Sequence, residues 1–174
     1  MVTLRKAVVS DAEAMNQLYF NVWLDTYSNQ EFGVSREDLS EWLKPSLTPE
    51  SLESSRSSIE NKPENVLMLV AEDNDKVIGF CYASKGNGDE HNKLRAIYVD
   101  TAYQGKGVGK LLWSEANKFF NPDVKTDVQV VAYNDKAIGF YKSIGFVETG
   151  ERITDDEDYR LRTGVILPLI NLIK

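Results

Sequence analysis

One short segment carries the most specific pattern in the chain: Gln104-Gly105-Lys106-Gly107-Val108-Gly109-Lys110. It follows a strand-like run from Leu94 to Val99 and precedes apolar residues at helical spacing that continue to Phe119. A loop therefore enters a helix amino terminus, where the first N–H groups lack intrahelical partners and the helix dipole is positive. Because glycines allow a close backbone approach, the segment predicts a site for a phosphate or pyrophosphate group.

Other phosphate-binding motifs fit this segment poorly. A P-loop places a glycine five residues before its Gly-Lys pair, but Asp100 and Gln104 occupy that position here. A dinucleotide fingerprint that began at Gly105 would need a small residue where Lys110 stands. For the seven residues alone, a glycine-rich turn that begins a helix remains the simpler interpretation, so the choice depends on the rest of the chain.

Around this segment the chain alternates between helices and strands. The predicted strands are 3–9, 66–72, 77–84, 94–99, 127–132, 146–151 and 165–173. Predicted helices begin at a capping box of Ser10 and Glu13, at Ser35, at Thr48-Pro49, within the glycine segment and at Asn134. Gly145 is placed to end the last helix. With no repeat or linker, residues 1–174 are expected to form one domain, a mixed sheet covered by helices.

The composition excludes several classes of protein. The formal charge of −7 argues against a nucleic-acid-binding surface and favours a cationic partner. Since the one cysteine, Cys81, lies in a strand-like run, it predicts a buried small hydrophobe and a reducing compartment. No signal sequence or membrane span is predicted, so the expected location is the cytoplasm. With a single Cys and the lone His91, no metal site is expected.

Two motifs that occur in order support the phosphate-site interpretation of the glycine segment. Gln104 to Gly109 matches the pattern Gln/Arg-x-x-Gly-x-Gly/Ala, and Asn134 to Phe146 supplies an Asn-capped helix that ends in Gly-Phe. Together they make the chain resemble the GNAT superfamily of N-acetyltransferases, from Leu4 to the final strand. The resemblance implies an α/β GNAT fold. Its central sheet is mixed but mostly antiparallel, with a splay at the acyl-coenzyme A site and helices on both faces.

The resemblance also implies roles for individual residues. Acetyl-coenzyme A would be the co-substrate, with its pantetheine amides along the strand at Ile97 and Val99. Gln104, Gly105, Lys106, Gly107, Val108, Gly109 and Lys110 would hold the pyrophosphate through backbone N–H groups. Asn134 and Ala137 would line the other side of the cofactor arm. Tyr141 would be the general acid that protonates the departing thiolate, although a core tyrosine would fit the same helix face.

The proton acceptor for the amine is not assigned by the resemblance. In some family members a glutamate on the strand before the phosphate loop has this role, but alignment on Gln104 places Lys93 there. Candidates near neighbouring strand ends are Glu72, Asp89, Glu90 and His91. For each of these the ordinary interpretation is a solvated loop charge.

The acceptor is expected to be a primary amine. Trp23 and Tyr27 resemble the substrate region of bacterial polyamine and small-molecule acetyltransferases, although core packing would also explain Trp23. The acidic run Asp155 to Asp158 could attract a polycation or form a hairpin loop between two edge strands. A peptide or protein amine is the alternative acceptor, and a non-catalytic acyl-coenzyme A sensor is the alternative of another class. The resemblance also allows a homodimer.

Overall fold

The computed structural model describes residues 1–88 and 90–174, which form five α-helices and seven β-strands. The helices are α1 (Ala12–Tyr27), α2 (Arg36–Leu43), α3 (Pro49–Glu60), α4 (Val108–Phe119) and α5 (Asp135–Ser143). The strands are β1 (Thr3–Lys6), β2 (Val66–Asp73), β3 (Lys76–Ser84), β4 (Asn92–Val99), β5 (Thr126–Val131), β6 (Val147–Ile153) and β7 (Leu169–Ile173). Their order confirms the predicted succession of elements.

All seven strands belong to one sheet with the order β1-β2-β3-β4-β5-β7-β6. Within the described residues β4 and β5 form the one parallel pair, and every other neighbouring pair is antiparallel. The predicted mixed, mostly antiparallel sheet is therefore confirmed.

Helices cover both faces of this sheet, as expected. Alternate strand residues point to opposite faces, so each strand supplies two sets of buried side chains. On one face α4 and α5 pack over Cys81, Val128 and Val130. On the other face α1 to α3 pack over Phe80, Tyr98 and Leu169 and the residues around them.

The strands β4 and β5 diverge like the arms of a V. In the described part of the chain they pair only at Asn92↔Thr126 and Lys93↔Asp127. The β3–β4 register also skips Arg95, a bulge that bends β4 away from its neighbour. The predicted splay is thus present.

A buried amide holds the vertex of this V. The side chain of Asn92 donates to the carbonyl oxygens of Asn121 and Val124 and to the hydroxyl of Thr126, at 2.9, 3.3 and 3.3 Å. Its Oδ1 accepts from the backbone N–H groups of Gly86 and Asn121, both at 3.0 Å. One side chain therefore joins β4 to the chain that leads into β5.

Local sequence signals account for several element boundaries. Ser35, Thr48 and Asn134 accept hydrogen bonds from the first turns of α2, α3 and α5, which confirms the three predicted caps. Asn74 and Asp75 have positive φ and form the tight turn of the β2–β3 hairpin. Gly145, at φ +97°, follows the end of α5 as predicted.

Three local predictions were wrong. Ser10 does not open α1, because it lies inside a 3₁₀ turn and Asp11 precedes the helix instead, held by Arg5. The last strand begins at Leu169 rather than Val165, after the proline at 168. Strand β7 is also not an edge strand, since it lies between β5 and β6. Among the described residues, no helix has both the length and the apolar content needed to cross a bilayer.

Candidate functional site

A cleft of about 1320 Å³ opens at the splay between β4 and β5. Its walls come from both strands, from the α1 end, from the loop before α4 and from the start of α5. Towards β6 and β7 its floor is polar and includes Thr149, Glu151 and Asn171. The predicted site residues that line it are Trp23, Tyr27, Ile97, Val99, Gln104, Gly105, Gly107, Gly109, Lys110, Asn134, Ala137 and Tyr141.

The loop before α4 has the geometry of an anion cradle. Gly105 and Gly107 have φ of +75° and +89°, and a Cβ added to either would meet no atom within 4 Å. Within the described residues, the N–H groups of Gly105 and of residues 107 to 110 form no backbone hydrogen bond. Open space, unpaired donors and a positive helix end together fit a phosphate or pyrophosphate.

The remaining residues of the motif have more specific positions. Gln104 Nε2 donates to the Val99 carbonyl at 3.1 Å, which fixes the turn out of β4. Gly109 packs against Phe140, because an added Cβ would lie 3.2 Å from that ring. Val108 is buried and Lys106 lies over the Tyr103 ring at 5.3 Å, so neither side chain lines the cleft. The Lys106 N–H is also bonded to Tyr103.

The two cleft walls beyond the cradle are the edge of β4 and the start of α5. Beyond Lys93, β4 diverges from β5, and both Ile97 and Val99 lie on this stretch, which pairs with β3 on its other side. Across the cleft, Asn134 Oδ1 accepts from the Ala137 N–H at 3.0 Å and caps α5. An extended ligand with amide groups could therefore pair with β4 as a strand would.

Comparisons with known proteins agree with this geometry. A family model described as an acetyltransferase (GNAT) domain matches residues 24–157, well over half of the chain. The chain belongs to the GNAT acetyltransferase family. GNAT acetyltransferases use acetyl-coenzyme A, and the cradle, the β4 edge and the Asn134–Ala137 wall fit its pyrophosphate and pantetheine groups.

Curated relatives of this chain carry the names of N-acetyltransferases. The chain is 34% identical over 111 residues to the peptidyl-lysine N-acetyltransferase YjaB of Salmonella typhimurium, covering 64% of this chain and 66% of that protein. It is 38% identical over 60 residues to the N-alpha-acetyltransferase RimI of Mycobacterium tuberculosis, covering 34% and 37%. The matches span just under two thirds of the length of YjaB.

A solved GNAT structure supports the fold. The PaiA N-acetyltransferase from Thermoplasma acidophilum, in complex with coenzyme A, superposes with a TM-score of 0.72 at 21% identity. The superposition covers 100% of this chain and 98% of that one. At this identity the likeness concerns the fold alone.

The candidate general acid, Tyr141, lies on α5 beside the cleft. The residue is buried on α5 and lines the cleft. No hydrogen bond of this hydroxyl is present among the described residues, and no fully buried side-chain polar atom there lacks a partner, so the hydroxyl keeps some exposure. Burial, with smaller contributions from Tyr27 and Cys81, raises the pKa of Tyr141 well above its usual value. The hydroxyl therefore keeps its proton at neutral pH, as a general acid must.

Aromatic side chains form the wall on the α1 side. Trp23 packs against Tyr27 with ring centroids 4.3 Å apart and stacks on Tyr159 at 6.2 Å. Trp23 Nε1 donates to the Tyr98 hydroxyl at 3.0 Å, which ties α1 to β4. Trp23 and Tyr27 are thus both core and cleft residues, while Tyr98 and Tyr159 were not predicted as site residues.

The structure shows which candidates for the proton acceptor line the cleft. Glu72 is paired with Arg5, away from the cleft, and Glu90 is exposed and does not line it. Asp89 lies outside the described residues. His91 lines the cleft, and its Nδ1 lies 2.8 Å from Asp127 Oδ1. Sequence spacing could not reveal this pair, since His91 directly precedes β4 whereas Asp127 lies 36 positions away on β5.

Cys81 is fully buried on β3, as predicted. Burial raises the pKa of its thiol to about 12, so the thiolate is not available at neutral pH. Cys81 is therefore best interpreted as a small hydrophobic core residue.

Proposed function

We propose that this protein is an acetyl-coenzyme A dependent N-acetyltransferase whose acceptor is a lysine side chain in a peptide or protein. The observation that carries the transferase activity is the meeting of two features in one cleft. The cradle of N–H groups at Gly105 and Gly107–Lys110 lies at one wall, and Tyr141 lies at another; among the described residues, neither these N–H groups nor the Tyr141 hydroxyl has a hydrogen-bond partner. The first suits a nucleotide phosphate, and the second suits a leaving thiolate.

In the proposed reaction the neutral amine attacks the thioester carbonyl in a ternary complex. The C–N bond forms and the C–S bond breaks, while Tyr141 donates its proton to the sulfur. The pantetheine arm would pair with the edge of β4 near Ile97 and Val99, which would hold the thioester at a fixed depth in the cleft.

The choice of a peptide lysine rests on the shape and charge of the cleft. It continues from the aromatic wall at Trp23 to the polar floor at Thr149 and Glu151, so a chain can lie along it. Its lining carries acidic residues at 127 and 151 but basic residues at 93, 95, 110 and 136. A polycation would meet too few carboxylates, whereas a single ammonium could be accommodated. The name of the YjaB relatives agrees with this acceptor.

A polyamine or another small cationic amine is the second candidate, for one reason. Asp156 and Asp158 lie close enough to Tyr159 to raise the pKa of that hydroxyl, in addition to its burial. Negative charge therefore stands beside the aromatic wall, where it would attract a cation.

The test is acceptor-dependent release of coenzyme A from acetyl-coenzyme A. The panel comprises lysine-containing peptides with blocked amino termini, the same peptides with free amino termini and acetylated lysines, spermidine, and a control without acceptor. The proposal expects the blocked lysyl peptides to have the highest kcat/KM. Higher kcat/KM for spermidine would favour the second candidate. Binding of acetyl-coenzyme A by calorimetry without release on any acceptor would favour a sensor.

A further inference from the structure

We infer that His91, oriented by Asp127, accepts the proton of the acceptor ammonium. The inference rests on the proposed function, because it assigns the proton acceptor of that same reaction. Nucleophilic attack needs a neutral amine, whereas a lysine side chain with an ordinary pKa of about 10.4 is almost entirely protonated at neutral pH. A group in the cleft that takes this proton is therefore required.

The geometry of the pair suits a base. If Nδ1 carries the ring proton and donates it to Asp127 Oδ1 at 2.8 Å, then Nε2 presents a lone pair. The His91 side chain is 38% exposed and lines the cleft, so a ligand can reach it. The carboxylate would also stabilise the imidazolium that forms when the proton arrives.

The pair lies on the face of the sheet where the acceptor would enter. Val128 and Val130 point into the core under α4 and α5, whereas Val131 packs with Trp23 on the α1 side. By the alternation of side chains along β5, Asp127 shares the face of Val131. The base is thus on the same side of the sheet as the aromatic wall.

Other charges face the pair from neighbouring strands. Lys93 on β4 is the direct register partner of Asp127, and its Nζ lies 3.4 Å from Asp127 Oδ2. Across the floor of the cleft, Glu151 on β6 is held by Asn171 on β7. The two oxygens of Asp127 are therefore divided between His91 and Lys93, which fixes the carboxylate in place.

The protons balance in this scheme. The ammonium carries three protons, and the first passes to His91 Nε2 before attack. The second leaves the nitrogen as the tetrahedral intermediate collapses and replaces the proton that Tyr141 gives to the sulfur. The third remains on the amide. His91 then releases its proton to solvent, so one proton is released for each acetyl group transferred.

The experiment uses the full chain with the peptide on which the wild type is most active. His91→Gln is expected to lower kcat about 100-fold at neutral pH, the range of general-base catalysis, without changing coenzyme A affinity or the urea midpoint. The deficit should shrink as the pH approaches the pKa of the amine, because neutral amine is then present in solution. Added imidazole should restore part of the activity of His91→Ala.

Two carboxylate variants complete the test. Asp127→Asn is expected to lower kcat about tenfold and to move the pH profile, since the imidazolium loses its partner. Asp123→Asn removes an exposed charge just before β5 that does not line the cleft, and it should leave kcat unchanged.

Full activity of His91→Gln, or a loss that neither pH nor imidazole relieves, would overturn the role of His91 while leaving the transferase intact. A wild type that releases no coenzyme A with any amine would remove the proposed function and this inference together.

Discussion

Tyr27 and Asn134 are joined across the cleft by a hydrogen bond of 3.0 Å, in which Asn134 Nδ2 donates to the Tyr27 hydroxyl. Both side chains are buried. Tyr27 ends α1, on the aromatic side, and Asn134 caps α5, on the side of the predicted cofactor arm. One bond therefore links the two sides of the site.

Replacement of Tyr27 by Phe should destabilise the protein. The change leaves a buried Asn134 N–H without its partner, which costs about 1 kcal/mol in the free energy of unfolding. Urea denaturation measures the loss. Tyr159→Phe is the matched control, because no hydrogen bond of its hydroxyl is present among the described residues, and its effect should stay within about 0.5 kcal/mol. Equal effects of the two variants would contradict the assigned bond.

Replacement of Tyr141 by Phe should separate chemistry from binding. We expect kcat to fall by about 100-fold, since a general acid contributes in that range. Coenzyme A affinity, measured by calorimetry, should change less than threefold, since in the part of the chain that the structure describes the hydroxyl makes no hydrogen bond. An unchanged kcat would rule out the acid role.

The cradle predicts a selective effect of Gly107→Ala. At φ +89° an alanine is strained by about 1 kcal/mol, and its methyl group would occupy space that a phosphate oxygen needs. Coenzyme A should bind at least about tenfold more weakly. Gly164→Ala is the control, because Gly164 has φ +86°, similarly open surroundings and a position outside the cleft. It should lose similar stability without loss of coenzyme A affinity.

Alkaline pH should destabilise the fold at values below those at which arginine side chains lose their protons. Burial raises the pKa of Tyr27 and of Tyr133 to about 12, and it raises the pKa of Tyr98 well above its usual value. Unfolded tyrosines ionise near pH 10, so the unfolded chain loses protons first and stability falls as the pH rises from about 10 through 12. Tyr27 alone should contribute roughly 1 kcal/mol of this loss by pH 11.

Absorbance at 295 nm and urea unfolding at a series of pH values measure this effect. The chain in concentrated guanidinium supplies the unfolded reference. Native tyrosines that all ionise with the midpoint of that reference would contradict the buried hydroxyls described above.

The sequence was most informative where structure is local. Caps at Ser35, Thr48 and Asn134, and the glycines of the cradle, act within a few residues of themselves, so spacing alone could reveal them. The order of strands was less accessible. The insertion of β7 between β5 and β6 depends on pairing across the whole chain, which no local signal encodes.

The site residues likewise divide into those that local motifs reveal and those that depend on long-range contacts. Tyr141 and the phosphate segment lie in recognisable motifs, whereas the pair of His91 and Asp127 forms because β4, which His91 directly precedes, begins beside β5. Asn92 shows the same limit. In the sequence it is an ordinary polar residue near a strand end, yet it is almost fully buried and bonds to the backbone at Gly86 and at two residues of the loop before β5.

The V between β4 and β5 is held at two places, and this determines how a ligand can enter it. Asn92 fixes the vertex, and the bond from Asn134 to Tyr27 spans the mouth, with Tyr133 adding a second bond to the Tyr27 carbonyl at 2.9 Å. The angle between the arms is therefore set before any ligand arrives. Association should then require no opening step, so its rate constant should be limited by encounter and orientation rather than by a conformational change. For a preorganised cleft of this kind, high affinity should be seen as a small dissociation rate constant.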